Sequence, residues 1–143
     1  MKSKILVGMQ FFIIFLMTLP FGTSSNNLYF GVFIIILGFL IGVLALKENS
    51  FQNFNIRPDI KENATLIKTG VYSLIRHPMY TSVLVMAVGV VVLYPIKLEF
   101  ISFCALMVVL LLKLSYEESL WSRADENYVE YMRKSRRLIP FIF

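Results

Sequence analysis

An all-α integral membrane protein, with about four transmembrane helices in two hairpins, both termini cytoplasmic and a helical basic tail, is the fold the sequence predicts. Three observations point to it. Hydrophobic residues make up 57% of the chain and the mean hydropathy is +0.71, more than a soluble domain of this size carries. Apolar runs of membrane-crossing length recur along the chain. Positive charge gathers in one set of connecting segments. No repeat, low-complexity tract or second domain interrupts the pattern, so residues 1–143 read as a single membrane domain.

The first apolar run, residues 5–21, follows Lys2 and Lys4. It has the charged start of a signal peptide, but its apolar part exceeds the usual ~7–15 residues, and only the weak candidate at 22–25 offers a cleavage site, so it is expected to be retained. The second run, 28–46, places Gly38 and Gly42 in a small-xxx-small step, with Gly31 and Ala45 on nearly the same face. Such a stripe lets another helix approach closely: the first or third helix of the same chain, or a second copy in a homodimer through Gly38 and Gly42. Residues 47–69, with Asn49, Ser50, Gln52, Asn53, Asn55, Pro58 and Asn63, have the composition of turns and irregular structure.

The third run is 79–96. The fourth, 100–112, is only about 20 Å as helix, so it borrows 114–116 while Lys113 snorkels toward the head groups. This span, 100–116, is expected to continue into water. Cys104 lies mid-span and is the sole cysteine. It allows no intrachain disulfide and no cysteine-rich metal site, and packing is its expected role.

Lys and Arg orient the bundle. Lys2, Lys4, Lys47, Arg57, Lys61, Lys68, Arg76, Lys113, Arg123, Arg133, Lys134, Arg136 and Arg137 all fall on one side, leaving only Lys97 of the 14 on the other. The positive-inside rule then makes that side cytoplasmic. These charges also suit anionic lipid; no nucleic-acid partner is expected.

Two polar blocks share that side. Residues 70–80 read GVYSLIRHPMY and contain the only histidine, His77. Gly70 permits a tight turn, Tyr72 offers an aromatic face and a hydroxyl, and Pro78 suits the first turn of the third helix, with His77 at or near its N-cap. Unpaired N–H groups at that helix start, with Arg76 beside them, favour a carboxylate or phosphate. The same residues would equally serve as an interfacial anchor. The second block is Lys113, Glu117 and Glu118, continuing to Tyr128, Tyr131 and the terminal Arg136–Pro140 stretch. Lys113 and Glu117 are i and i+4 on one helical face, either an ordinary ion pair or a carboxylate for a cationic ligand beside a lysine for an anionic group.

The run ATLIKTGVYSLIRHPMY (64–80), then EESLW (117–121), then NYVEYMRKSRRLIP (127–140) resembles the isoprenylcysteine carboxyl methyltransferase family, which is related to the phospholipid methyltransferases. The match spans residues 64–143. It implies a membrane-embedded enzyme that binds S-adenosylmethionine without a Rossmann domain. By that resemblance the cofactor contacts Ala64, Thr65, Leu66, Ile67, Tyr72, Arg76, His77, Pro78, Met79, Tyr80 and Glu117, while Lys113 and Glu118 fall on the substrate side. The chain departs from the pattern at Ala64, often His in relatives, at Ser82, usually Gly, and at Lys113, where relatives carry Arg. Lysine gives up planar bidentate recognition, so the recognised group can differ.

The expected reaction is direct transfer of the activated methyl to a lipid-soluble or lipidated acceptor that enters between helices, with the protein aligning the partners and excluding water. A carboxylate acceptor needs no strong base; a hydroxyl or amine would need one, with His77 or Glu118 as candidates. Two other functions fit parts of the pattern. One is an NADPH-dependent enzyme similar to the membrane sterol reductases, which share a His-Pro-x-Tyr step. The other is a non-enzymatic scaffold using the glycine stripe and the basic tail.

Overall fold

The computed structural model describes residues 2–19, 22–23, 25–53, 55–60 and 64–143, with backbone alone for 50–53. Among them are five α-helices and one short 3-10 turn: α1 Lys2–Thr18, α2 Leu28–Asn53, the turn Gly70–Ser73, α3 Pro78–Leu93, α4 Lys97–Ala124 and α5 Asn127–Lys134. Two are long and apolar enough to cross a membrane: α2 over Leu28–Asn49, with a mean hydropathy of 2.7, and α4, with 2.1.

Helix limits differ from the apolar runs in ways the local chemistry explains. The first helix occupies Lys2–Thr18; the end of the expected 5–21 span, with Lys61 and Asn63 of the expected loop, lies outside the described residues. At the other end of the first hairpin, α2 runs on through residues expected to form turns, and Glu48 on this extension accepts a hydrogen bond from Thr69 Oγ1 at 3.0 Å. Pro78 occupies the first turn of α3, where a missing N–H costs nothing, and His77 is its N-cap. That helix stops at Leu93, before the Tyr94-Pro95 step that disfavours helical backbone. α4 starts anew at Lys97 and runs 28 residues, about 42 Å, so the fourth run does continue as helix past residue 116.

α2 packs against α3, α1 against α4, and α3 joins the two pairs through α4. The α2–α3 contact is the glycine stripe. A Cβ added to Gly38 would stand 2.7 Å from Met86 Cγ and 2.9 Å from Ser82 O, and one at Gly42 would meet Ser82 Oγ at 2.7 Å. Ser82 Oγ also donates to Gly38 O across the contact. A homodimer through Gly38 and Gly42 is therefore corrected: α3 of the same chain already covers that face.

Ile13, Met17, Ala87, Leu106, Val109 and Leu110 form the buried core between α1, α3 and α4. The outer faces are apolar as well, with Phe12, Phe33, Phe39 and Ile101 all exposed. An apolar exterior over an apolar core is the pattern for helices solvated by lipid tails.

Beyond α5 the chain returns to the start of α3. Ile75 and Arg136 form an isolated parallel bridge. Arg136 N–H donates to Leu74 O, Arg76 N–H to Arg136 O and His77 N–H to Arg137 O. Thr81 Oγ1 adds a bond to Leu138 O at 2.8 Å. The basic tail is thus tied to the residues beside His77, which brings the two polar blocks together.

Candidate active site

A cavity of about 320 Å³ opens where α1, the extended end of α2, the start of α3, α4 and α5 converge, within the range of small-molecule sites. Gly70 sets its approach: with φ +55° it takes the left-handed conformation that glycine tolerates, turning the chain so that Tyr72 is buried in the wall.

His77 and Tyr80 stack at 5.4 Å between ring centroids, within 7° of parallel. Tyr80 OH donates to Glu117 Oε2 at 2.9 Å, and His77 Nδ1 lies 3.9 Å from the same oxygen. One face of the cavity therefore presents a carboxylate framed by aromatic rings, which suits a cationic group. Trp121 and Tyr128 stack behind it at 6.0 Å, and Tyr131 meets Tyr128 edge-on.

Glu118 points elsewhere. Its Oε1 accepts from Arg76 Nε at 2.9 Å and contacts His77 Nε2 at 3.3 Å, while its Oε2 pairs with Arg137 Nη2 at 2.9 Å. Arg76 also donates through Nη1 to Met132 O and Ser135 O, so its guanidinium is directed to the tail. Tyr131 OH donates to Tyr72 O. These bonds clamp the tail to the start of α3 and fix His77 from behind. Burial pushes the phenols of Tyr72 and Tyr128 up, the Glu117 and Glu118 carboxylates adding to it; burial likewise raises Tyr131 to about 12 despite the opposing Arg76 charge. All three remain neutral donors near neutrality.

Lys113 does not snorkel. It is 1% exposed; its ammonium donates to Gln10 Oε1 and Ile56 O and stands 5.1 Å from the centroid of the Tyr80 ring. Bundle-internal oxygens satisfy it, so it neither reaches head groups nor closes an ion pair with Glu117.

Every residue named from sequence for the cofactor, Ala64 to Ile67, Tyr72, Arg76 to Tyr80 and Glu117, borders this one cavity, and so does Lys113; Glu118 does not. Sequence reasoning did not assign Gln10, Phe11 and Ile14 of α1, Asn49 of α2, the 55–60 segment or Trp121. Gln10, a lone polar residue inside an apolar run, was the signal for α1.

The family model described as phospholipid methyltransferase matches residues 26–124, more than half of the chain. The chain belongs to the phospholipid methyltransferase family. Two curated relatives, described as probable protein-S-isoprenylcysteine O-methyltransferases of Oryza sativa subsp. indica and subsp. japonica, are each 33% identical over 118 residues. Those matches cover 80% of this chain, which spans 61% of the relatives' length. Within this phospholipid methyltransferase family member, the matched residues include the α3 start and Glu117, whereas α1 and α5 lie outside them.

Proposed function

We propose that this chain is an S-adenosylmethionine-dependent methyltransferase acting on a lipid-soluble acceptor, a carboxylate among the candidates, at the cytoplasmic membrane face. In this reading residues 1–143 form one membrane domain, α1 to α4 all cross the bilayer, and both termini face the cytoplasm, where the positive charges concentrate. The carrying observation is the Glu117 carboxylate bonded to Tyr80 beside the His77 ring, in a cavity with apolar flanks.

The donor set fits the cofactor. Glu117 and the Tyr72 and Tyr80 faces receive its ammonium and sulfonium, and the α3 start at His77 receives its carboxylate, while Arg76, engaged by Glu118 and the tail, holds His77 in place. Residues 64–67 and Pro78 to Tyr80 enclose the remainder. When bound, S-adenosylmethionine supplies the methyl: the acceptor's nucleophilic atom bonds to the methyl carbon as the carbon–sulfur bond breaks, leaving the electron pair on sulfur. The protein's part is to orient the acceptor in line, exclude water with Phe11, Ile14 and Val83, and hold Glu117 in register through Tyr80.

Calorimetric titration of the purified protein in nanodiscs with S-adenosylhomocysteine and with NADPH tests the reading. Saturable S-adenosylhomocysteine binding, lost in His77→Ala and weakened in Glu117→Gln, is expected. Binding of NADPH alone would favour the reductase reading, and binding of neither to folded protein a scaffold.

A further inference from the structure

Beyond α5 the chain forms a turn that shows apolar side chains to its surroundings. Leu138 packs inward at 6% exposure, whereas Ile139, Phe141 and Ile142 are 50%, 85% and 78% exposed. The turn is closed on itself: Leu138 and Ile139 N–H donate to Phe143 O, and Ile142 and Phe143 N–H donate to Ile139 O. Phe141 holds φ at +67°, a left-handed conformation that is an outlier for a bulky residue. Strained backbone and three outward apolar side chains at one tip are costly in water.

The start of α3 fixes where the tip sits. Arg76 N–H donates to Arg136 O and His77 N–H to Arg137 O, and Thr81 Oγ1, in the first turn of α3, donates to Leu138 O. From there to Leu93 that helix carries no charge, so the tip lies level with the boundary between lipid tails and head groups. Residues 131–143 hold Arg133, Lys134, Arg136 and Arg137 and no acid. Arg137 stands 5.6 Å from the Phe143 ring centroid while pairing with Glu118. Arg136 is exposed and forms no ion pair among the described residues, and Glu130 is shared by Lys134, Lys68 and Arg133. The rim of the apolar tip is therefore net positive. At head-group depth this combination matches an anionic lipid surface, with side chains in the acyl boundary and guanidiniums against phosphates. It opposes a second copy, which would bring two sets of the same cations together.

We propose that the tip 139–143, with Arg133 and Arg136 at its rim, is an interfacial anchor that inserts into the leaflet on the cavity side and selects anionic phospholipid. This rests on the crossing of α3 in the proposed reading, and not on methyl transfer.

The test places an environment-sensitive fluorophore on Ile142→Cys in a Cys104→Ser background, in nanodiscs of phosphatidylcholine with and without phosphatidylserine. The same dye on Val88→Cys, exposed on α3, reports the hydrocarbon, and on the exposed Lys134→Cys it reports water. A lipid-borne nitroxide should quench position 142 nearly as well as position 88, and aqueous acrylamide should quench it at least about threefold less than position 134. Phosphatidylserine should strengthen the lipid quenching at 142 by about twofold, and Arg133→Gln with Arg136→Gln should abolish that gain. Acrylamide access equal to that of position 134 overturns the anchor, and lipid quenching indifferent to phosphatidylserine overturns its anionic selectivity. Shielding from both quenchers together with a doubled mass would overturn it in favour of a contact between two copies. Failure of the lipid quencher at position 88 would overturn the crossing of α3 and the anchor with it, leaving S-adenosylhomocysteine binding as the separate test of methyl transfer.

Discussion

Glu117 and Glu118 are adjacent on α4 yet meet different surroundings. Glu118 is 5% exposed and shared among Arg76, His77 and Arg137, so its removal would leave buried positive charge unpaired. Glu118→Gln should lower stability by about 3 to 5 kcal/mol, read as a fall in the denaturation midpoint in detergent. Glu117, whose side chain is 29% exposed, keeps a hydrogen-bond acceptor when changed to Gln. Glu117→Gln should cost less than about 1 kcal/mol while weakening S-adenosylhomocysteine binding. The opposite ranking, with Glu117→Gln the destabilising change, would refute this division of labour. Sequence spacing exposed both acids but not their partition. A one-residue step along a helix rotates the side chain by roughly 100°, and which rotation faces the cavity depends on where the tail docks.

At the scale of elements, the glycine stripe was legible as a close-approach surface because small residues at i and i+4 leave backbone exposed; the choice between an internal partner and a second copy needed the position of α3. With Met86 N 2.8 Å and Ser82 O 2.9 Å from a Cβ at Gly38, backbone must move to admit a side chain. Gly38→Val should therefore destabilise by about 1 to 3 kcal/mol without changing the oligomeric mass measured by light scattering. A stable variant with altered mass would revive the dimer. The α5 tail was legible only as basic and tyrosine-rich. Its return to Leu74 and Arg76 is carried by backbone bonds, which leave no residue-type signature. Tyr131 OH, bonded to Tyr72 O, is one side-chain part of that clamp, beside the bonds of Arg76, Glu118 and Thr81. Tyr131→Phe would leave Tyr72 O without this donor and should cost about 1 to 3 kcal/mol, with faster proteolysis of the tail as the readout; unchanged proteolysis would place the clamp in the backbone bonds and the Arg76, Glu118 and Thr81 contacts instead.

For the whole molecule, hydropathy made the class legible and the charge distribution suggested a direction, but neither fixes how many helices cross. α2 and α4 are long enough by themselves, whereas α1 has 17 residues and α3 has 16, about 24 to 26 Å of helix, slightly short of a ~30 Å hydrocarbon core. In the proposed reading all four cross. α1 packs on α4 and α3 on α2; were α2 and α4 to cross, the shorter helices would cross beside them, with local thinning accommodating a few ångströms of mismatch at small cost. If so, the connection around residue 26 and the tail around residue 134 lie on opposite sides of the membrane. In a Cys104→Ser background, Asn26→Cys should react with an impermeant maleimide applied to intact cells, and Lys134→Cys, at a side chain 73% exposed, should react only after permeabilisation. Labelling of Lys134→Cys from outside would invert the orientation and move the cavity to the outer face. Equal labelling of both positions in intact cells would mean that the hairpins do not span, and α1 and α3 would then be interfacial helices against a two-helix anchor.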